Sequence, residues 1–299
     1  MLVAEVCTHF LSLCKNNKNL SKLTLKAYAI DLQQFQDCLG SEADIESITK
    51  HQLIEFQTYL SGKKLSQSSV KRKLACIRAM FRWLELDELI ETNPFHKLHF
   101  NIKLPKRLPR NVPTDQLSQM IKYARASLGS VQIPYSVEDL STKVTRPKDL
   151  NKLTTLLALE LMLCTGVRVS ELVGIELFHV YLKNRKIKIL GKGSRERFVY
   201  LPDQEICTLL RAYIGCRSIV NPDEESLLVN SRGLPASTQF IRKLIKQLSE
   251  QSTSKTKVTP HMLRHSAACE LLDTGLDIRF VQRLLGHSSI STTEIYTHV

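Results

Sequence analysis

The first hundred residues alternate between apolar and polar positions with the period of an α-helix. Apolar residues recur three or four positions apart in four stretches, which cover residues 3–15, about 21–39, 49–62 and about 66–89. Ser, Thr or Gly residues stand at several ends of these stretches, where helices are capped or stopped. Asn93-Pro94 ends the fourth stretch. The pattern predicts a small four-helix domain over residues 1–98.

The remainder of the chain also favours helices, with one change of period. Helical stretches begin near residue 114 and lie near 153–166, 203–214, 237–250 and 259–286. β-forming residues dominate 179–190 and 197–202, on either side of a glycine-bearing turn at 191–196. Residues 129–152 are polar, hold two prolines and predict a long surface loop that can include a short turn of helix. The fold class predicted is mainly α, with a small antiparallel sheet of two or three strands.

A basic, proline-containing segment separates the two halves. Residues 99–113 contain three prolines among Lys103, Lys106, Arg107 and Arg110. Prolines keep such a segment extended, and its positive charge suits it to lie along a phosphate backbone. The predicted organisation is a helical domain over 1–98, a linker over 99–113 and a second domain over 114–299.

Charge adds a class of partner to this picture. The chain has 299 residues, and its 42 Lys and Arg exceed its 29 Asp and Glu, so the formal net charge is +13. A balance this basic favours a polyanionic partner, most simply nucleic acid. The alternative is a basic surface that serves only solubility.

Two predicted helices concentrate this charge on one side. The helix predicted over about 66–89 carries basic residues opposite its apolar face. The helix predicted near 237–250 carries a second basic group, which includes Lys246. We interpret both as candidate DNA-facing helices, the alternative being a solvated face. The candidate DNA contacts on these helices and in the linker are Lys71, Arg72, Arg78, Arg82, Arg107, Arg242 and Lys243. Lys73 belongs to the predicted basic face of the fourth helix.

Several other classes of protein are disfavoured. The eight cysteines form no C-x-x-C pair and no zinc-like His/Cys spacing, so we expect buried thiols in a reducing compartment and no metal site. No apolar run approaches a membrane span, and the N-terminus lacks the basic region of a signal peptide. These features predict a cytoplasmic protein, and with a DNA partner a nucleoid-associated one.

The final thirty-nine residues hold the densest group of potential anion ligands. Thr259-Pro260 is a good helix start, which places His261 and Arg264 on one face of a first helical turn. A helix N-terminus with an imidazole and a guanidinium can bind an anion. His287 follows Gly286, where a helix ends, and Tyr296 lies on a last short helix. Each residue alone has an ordinary structural explanation; their joint spacing favours a site.

Here the chain resembles the tyrosine recombinases, or phage integrase family, and most closely their Xer-type members. The resemblance rests on His261-Met262-Leu263-Arg264-His265, on Leu284-Leu285-Gly286-His287 and on the segment STTEIYTHV, residues 291–299. Two upstream segments also match: TGVRVSELVGI, which contains Arg168, and GKGSRERFVYLP, which contains Lys192. Weaker similarity over LTLKAYAIDLQQF extends it into the N-terminal domain.

The resemblance implies a fold, a reaction and six site residues. The N-terminal domain would be a SAM-like core-binding domain, and the second an α-rich catalytic domain. Arg168 and Arg264 would clamp the scissile phosphate, and Lys192 would protonate the leaving oxygen. His261 would be a base or phosphate ligand, His287 a hydrogen-bond donor and Tyr296 the nucleophile. No metal and no cofactor are expected, since the chemistry needs neither and the chain has no P-loop.

The implied activity is site-specific recombination through a covalent 3′-phosphotyrosine. Its partner would be double-stranded DNA with inverted half-sites, held by a synaptic tetramer of this chain or by a hetero-tetramer with a related recombinase. One alternative is an enzyme like the type IB topoisomerases, which share the tyrosine chemistry without exchanging strands. The other is a non-catalytic DNA-binding regulator or architectural protein derived from a recombinase.

Overall fold

The computed structural model describes residues 1–17, 20–98, 100, 102, 111–191, 195–222, 225–252 and 257–286. Its contacts divide the chain into two units, Met1–Lys106 and Arg107–Val299. Each unit has a separate hydrophobic core. The two are therefore described in turn.

Four α-helices build the first unit, as predicted: α1 (Val3–Asn16), α2 (Lys22–Leu39), α3 (Lys50–Gly62) and α4 (Gln67–Leu86). Hydroxyl caps start two of them, because the Ser21 and Ser66 side chains accept backbone N–H bonds from three residues ahead. Each helix then contributes one phenylalanine to a common core, and these are Phe10, Phe35, Phe56 and Phe81. The helical period of the sequence thus forms a packed interior.

The basic face predicted for α4 is partly wrong. Lys73 is buried, and its ammonium lies 2.7 Å from a carboxylate oxygen of Asp31, which is fully buried on α2. The Arg72 guanidinium binds both oxygens of the same carboxylate. A buried carboxylate requires such partners, since an unpaired one costs several kcal/mol. Lys71, Arg72, Arg78 and Arg82 are exposed. Because Lys73 is buried and the Arg72 guanidinium is paired with Asp31, the unpaired basic face is narrower than the sequence indicated.

The second unit is organised around α7 (Pro147–Thr165), whose apolar side chains are buried over most of its length. It packs against α5 (Thr114–Ser127), α9 (Gln204–Cys216), α10 (Thr238–Gln251) and α11 (Pro260–Asp273). The short helix α8 (Val169–Leu172) follows α7, and α12 (Ile278–Leu285) packs against α11. Because α7 is packed on several sides, the position of its C-terminal end determines where Arg168 and α8 lie.

The prediction for residues 129–152 is partly wrong: the short turn of helix is present, but the segment is not a long surface loop. A short helix, α6 (Val137–Lys143), lies within it, and α7 begins at Pro147, earlier than predicted. Pro147 occupies the first turn of α7, where the missing N–H costs nothing. Tyr135 and Leu140 are buried, so part of this segment belongs to the core. The sequence misled us because α6 is too short to show a helical period.

Three antiparallel strands form the predicted small sheet: β1 (Val180–Tyr181), β2 (Lys186–Leu190) and β3 (Glu196–Tyr200). Ile187 pairs with Val199, and both side chains are buried against the core of the unit. The neighbouring positions Phe198 and Tyr200 point outward and are exposed. With its helices and this sheet, the chain has the mainly α fold class predicted, including the N-terminal helical domain.

The cysteines and the membrane prediction can be compared with the described residues. All eight cysteines lie among them as free thiols, six of them buried and Cys38 and Cys164 half-buried. Burial raises the pKa of Cys7 to about 11, which keeps this thiol protonated and unreactive. Over the described ranges, no helix combines the length and apolarity needed to cross a bilayer.

Candidate active site

The end of α7 places the first candidate arginine. Gly166 has φ +62° and its N–H closes the last turn of α7 on the carbonyl of Met162. A β-carbon at Gly166 would lie 2.5 Å from a methyl of Leu285, so the backbone at the end of α7 packs directly against the Leu285 side chain of α12. The chain then turns to Arg168, whose backbone N–H donates to Glu171 at 2.9 Å. This contact fixes Arg168 at the start of α8.

Three arginines converge on the carboxylate of Glu171. Arg168 donates through Nη1 at 2.7 Å, and Arg197 donates through Nη1 and Nη2 at 3.1 and 2.9 Å. Arg264 contributes Nη1 at 3.8 Å. The Glu171 side chain is only 4% exposed. Burial opposes its ionisation, but the Arg197 and Arg168 bonds outweigh it and hold the Glu171 pKa at about 2.

The same three arginines hold the C-terminal end of α12. Arg197 Nε donates to the carbonyl of Leu284 at 3.0 Å, Arg264 Nη2 to that of Leu285 at 2.8 Å, and Arg168 Nη2 to that of Gly286 at 3.2 Å. Three successive carbonyls thus accept from three different arginines. Helix C-termini concentrate partial negative charge, so this is a favourable place for guanidinium groups. We call the group of Arg168, Glu171, Arg197 and Arg264 the arginine cluster.

Arg264 and His261 occupy different environments on α11. The Arg264 side chain is 6% exposed and also donates from Nη1 to the carbonyl of Gly166 at 2.7 Å. His261 lies at the surface, three residues earlier. Partial desolvation, followed by the positive charges of Arg242, Arg264 and Arg168, lowers the pKa of His261. Its imidazole is therefore neutral at pH 7 and can accept a proton.

The structure brings three of the six predicted catalytic positions into one region: Arg168, His261 and Arg264. Lys192, His287 and Tyr296 lie outside the described residues, as does the linker position Arg107. The described residues on either side of Lys192 form the ends of a hairpin, in which the Gly191 N–H donates to the carbonyl of Arg195 at 2.7 Å. Arg242, predicted as a DNA contact, is exposed on α10, and its charge acts on His261.

Glu171 and Arg197 were missed by the sequence analysis. Glu171 stands three residues after Arg168, the spacing at which a carboxylate caps a helix start, and this signal was available. Arg197 carried no local signal, because its partners are 26 and 87 residues away. Three positive charges face one negative charge, so the arginine cluster suits an anion. Within the described ranges, no group of three His, Cys, Asp or Glu could hold a metal ion.

Comparison with protein-family models decides the family. Residues 136–299 match the phage integrase family, and residues 8–88 match the phage integrase N-terminal SAM-like domain. The chain belongs to the phage integrase family. The resemblance predicted from the sequence is thereby confirmed.

Two relatives with similarity over nearly the whole chain are tyrosine recombinases. One, from Agathobacter rectalis, is 32% identical over 294 residues, which cover 97% of this chain and 90% of that protein. The tyrosine recombinase XerC of Thermodesulfovibrio yellowstonii is 33% identical over 299 residues, covering 98% of this chain and 91% of that protein. These relatives confirm the prediction that this member of the phage integrase family is an enzyme of the tyrosine recombinase class.

A solved structure shows the same fold. The XerH site-specific recombinase bound to difH substrate, in a pre-cleavage complex, matches with a TM-score of 0.71 and 22% identity. The match covers 98% of this integrase-family chain and 81% of that chain. At this identity the likeness is one of fold.

Proposed function

We propose that this tyrosine recombinase cleaves and rejoins duplex DNA at specific sites through a covalent 3′-phosphotyrosine, with Tyr296 as the nucleophile. The observation that carries the proposal is the arginine cluster. It holds Arg168 and Arg264, which are far apart in sequence, within reach of one carboxylate and of adjacent carbonyls. A single phosphate placed there would face both guanidinium groups.

The proposed step is a balanced displacement at phosphorus. The Tyr296 oxygen attacks the scissile phosphate, the bond from phosphorus to the 5′ oxygen breaks, and Lys192 gives that oxygen a proton. Negative charge gathers on the non-bridging oxygens in the transition state, where forked guanidinium donors stabilise it. His287 would donate a further hydrogen bond to one of these oxygens. Reversal by another strand's 5′ hydroxyl restores the DNA without ATP, since the phosphoester bond is conserved.

His261 suits the role of proton acceptor for Tyr296. A phenol of pKa about 10 is ionised at roughly one part in a thousand at pH 7, so attack requires a base. The lowered pKa of His261 keeps the imidazole neutral before the reaction. A bound phosphate would counter the three nearby arginine charges and strengthen its affinity for the proton.

We further propose how DNA is engaged. Residues 1–98 would form the core-binding domain, 99–113 the linker and 114–299 the catalytic domain. Lys71, Arg78 and Arg82 on α4, with Arg242 and Lys243 on α10, are exposed and suited to phosphates. The reaction of two sites would need a tetramer, of this chain alone or with a related recombinase, on paired inverted half-sites. Such a protein acts in the cytoplasm, at the nucleoid.

Replacing the nucleophile tests the proposal. Tyr296→Phe removes one oxygen and is expected to bind target DNA with unchanged affinity while forming no covalent adduct. The measurement is a denaturing gel with a nicked duplex whose short 5′-hydroxyl fragment diffuses away after cleavage, which traps the adduct. An adduct in the Phe variant would contradict the assignment.

Matched controls separate the rival activities. His9→Phe, at an exposed position on α1, should form the adduct at the wild-type rate. Wild-type protein that binds DNA but never forms an adduct would indicate a non-catalytic DNA-binding protein. Relaxation of a plasmid without target sites would indicate topoisomerase-like activity. Cleavage positions that do not map to paired inverted half-sites would contradict the tetramer.

A further inference from the structure

Arg197 lies at the junction of three parts of the candidate site, although it is none of the six positions implied by the family motifs. It is the second residue of β3, and its side chain points to the inner face with Val199. Only 14% of that side chain is exposed. A guanidinium in such a position needs partners for its donors, since burying an unpaired charge is costly.

The Arg197 contacts join separate elements. Two parallel bonds of 3.1 and 2.9 Å connect it to Glu171 on α8, and a third of 3.0 Å connects it to the carbonyl of Leu284 at the end of α12. Its own strand follows Lys192 closely in the sequence, and Gly191 and Arg195, on either side of that lysine, are hydrogen-bonded to each other. One rigid planar group therefore links three segments that are separate in the sequence.

The packing around these contacts leaves little freedom. A β-carbon at Gly286 would lie 3.0–3.3 Å from three atoms of the Arg197 guanidinium. Gly286 itself has φ +68°, a conformation that suits glycine. The backbone after α12 thus passes directly against the guanidinium.

We propose that Arg197 is a positioning residue for the phosphoryl transfer, an inference that rests on the proposed function. It acts through two routes. By occupying both oxygens of Glu171, it fixes the carboxylate that orients Arg168. By binding Leu284, it fixes the end of α12, from which the chain continues to His287. Arg197 itself does not touch the phosphate.

Lysine cannot replace Arg197 in this role. A guanidinium has donors at fixed angles, so two can bind a carboxylate while Nε binds a carbonyl. An ammonium is a point charge on a flexible stem, and it would bind Glu171 or Leu284 in varied geometries. The proposal therefore requires the donor geometry of the Arg197 guanidinium and not only its positive charge, and an arginine-to-lysine substitution distinguishes the two.

The experiment compares Arg197→Gln and Arg197→Lys with the wild-type chain. A matched control is Arg211→Gln, which removes an exposed arginine charge from α9. Two quantities are measured: the dissociation constant for the DNA site, and the single-turnover rate of adduct formation with DNA saturating. We expect both Arg197 variants to bind within about twofold of wild type but to form the adduct about 10- to 100-fold more slowly, the effect of a displacement near 1 Å.

A second substrate identifies the route. Replacing the bridging 5′ oxygen by sulfur gives a leaving group that needs no proton, so it bypasses Lys192. Arg197 is proposed to act through Arg168, which binds the phosphate, and through the end of α12. Its variants should therefore remain slow on this substrate. Recovery of the wild-type rate would show that the variants are defective in protonation by Lys192, and this would overturn the proposal.

The remaining outcomes are also decisive. An Arg197→Lys rate equal to wild type would show that charge alone matters, and equal losses in Arg197→Gln and Arg211→Gln would show a general charge effect; either overturns the proposal. If Arg197→Gln proves too unstable to measure, the Lys variant carries the test. Failure of the wild-type chain to form any adduct would contradict the proposed function instead.

Discussion

Glu171 supplies the negative charge that the three arginines of the arginine cluster share. Its side chain is 4% exposed and its pKa is about 2, against an ordinary value of 4.5. The folded state thus holds the charged form more tightly than the unfolded chain does. The resulting stability is present above pH 4.5 and is lost as the pH falls towards 2. A shift of this size corresponds to about 3 kcal/mol.

We predict that Glu171→Gln lowers the free energy of unfolding at pH 7 by about 3 kcal/mol, and that the difference from wild type shrinks between pH 4.5 and 2. Urea denaturation followed by circular dichroism at several pH values measures this. Glu250→Gln is the control, because that exposed residue pairs with Lys246 at a long distance of 3.8 Å. A gap that is the same at pH 7 and pH 3 would show that shape, not charge, explains the loss.

The residue scale also shows what the sequence can and cannot predict. Arg168 and Arg264 were predicted because each lies in a short motif. Glu171 lies in one of these motifs and was overlooked, while Arg197 depends on partners that only folding brings near. Lys73 was placed on the wrong face because its sequence position fits a basic stripe, whereas the buried Asp31 on another helix determines its orientation.

At the scale of elements, the contact between α7 and α12 places the site. Gly166 ends α7 with φ +62°, its carbonyl binds Arg264, and a β-carbon there would lie 2.5 Å from a methyl of Leu285. Leu285 is fully buried and has little room to move. Both the backbone conformation and the close approach therefore require glycine.

We expect Gly166→Ala to reduce the free energy of unfolding by about 2–4 kcal/mol, from strained backbone and overpacking together. Thermal or urea denaturation measures the loss. Combining it with Leu285→Ala tests the cause: the added methyl then occupies vacated space, so the double variant should lose less than the sum of the single ones. Strict additivity would show that the two positions do not contact each other.

Elements with a clear period were predicted well, and those without one were not. The helices α1 to α4 agree with the sequence pattern because each has several buried positions at helical spacing. The sheet was predicted with two or three strands and has three. The helix α6 has a single fully buried apolar residue, Leu140, and gave no pattern. Pro147 was one of the two prolines assigned to the predicted loop, although it begins a helix. Tertiary packing decided these two cases.

For the molecule as a whole, the charge of +13 predicts how binding responds to salt. Each phosphate contact releases counterions, so affinity falls as salt rises, and each lost contact makes that fall less steep. Arg82 is exposed on α4 and is one of the proposed contacts. Arg72, on the same helix, is committed to Asp31 in the core.

We therefore predict different results for the two arginines. Arg82→Ala should weaken binding to all DNA sequences alike and reduce the slope of log K against log salt by about 1, with unchanged stability. Arg72→Ala should instead lower the free energy of unfolding by about 1.5–3 kcal/mol, since a hydrogen bond to a buried charge is lost. Fluorescence anisotropy across a salt series and urea denaturation measure the two effects.

Lys15→Ala, at an exposed position on α1, is the control for charge alone. It should change neither the salt slope nor stability. If Arg82→Ala and Lys15→Ala behave identically, the α4 face is merely solvated. If Arg72→Ala changes only the salt slope, its bond to Asp31 is not important for the fold.

The carbonyls at the end of α12 have a consequence for protein engineering. Every residue type carries a backbone carbonyl. The arginines therefore bind the main chain at the end of α12 whatever side chains the segment carries. The segment before the turn can accordingly be exchanged for one from a relative, provided that the chain still bends at position 286 and keeps the packing of Val281 and Leu285. The end of α12 is thus a natural junction for building chimaeras, in which the side chains other than those of Val281, Leu285 and Gly286 can vary.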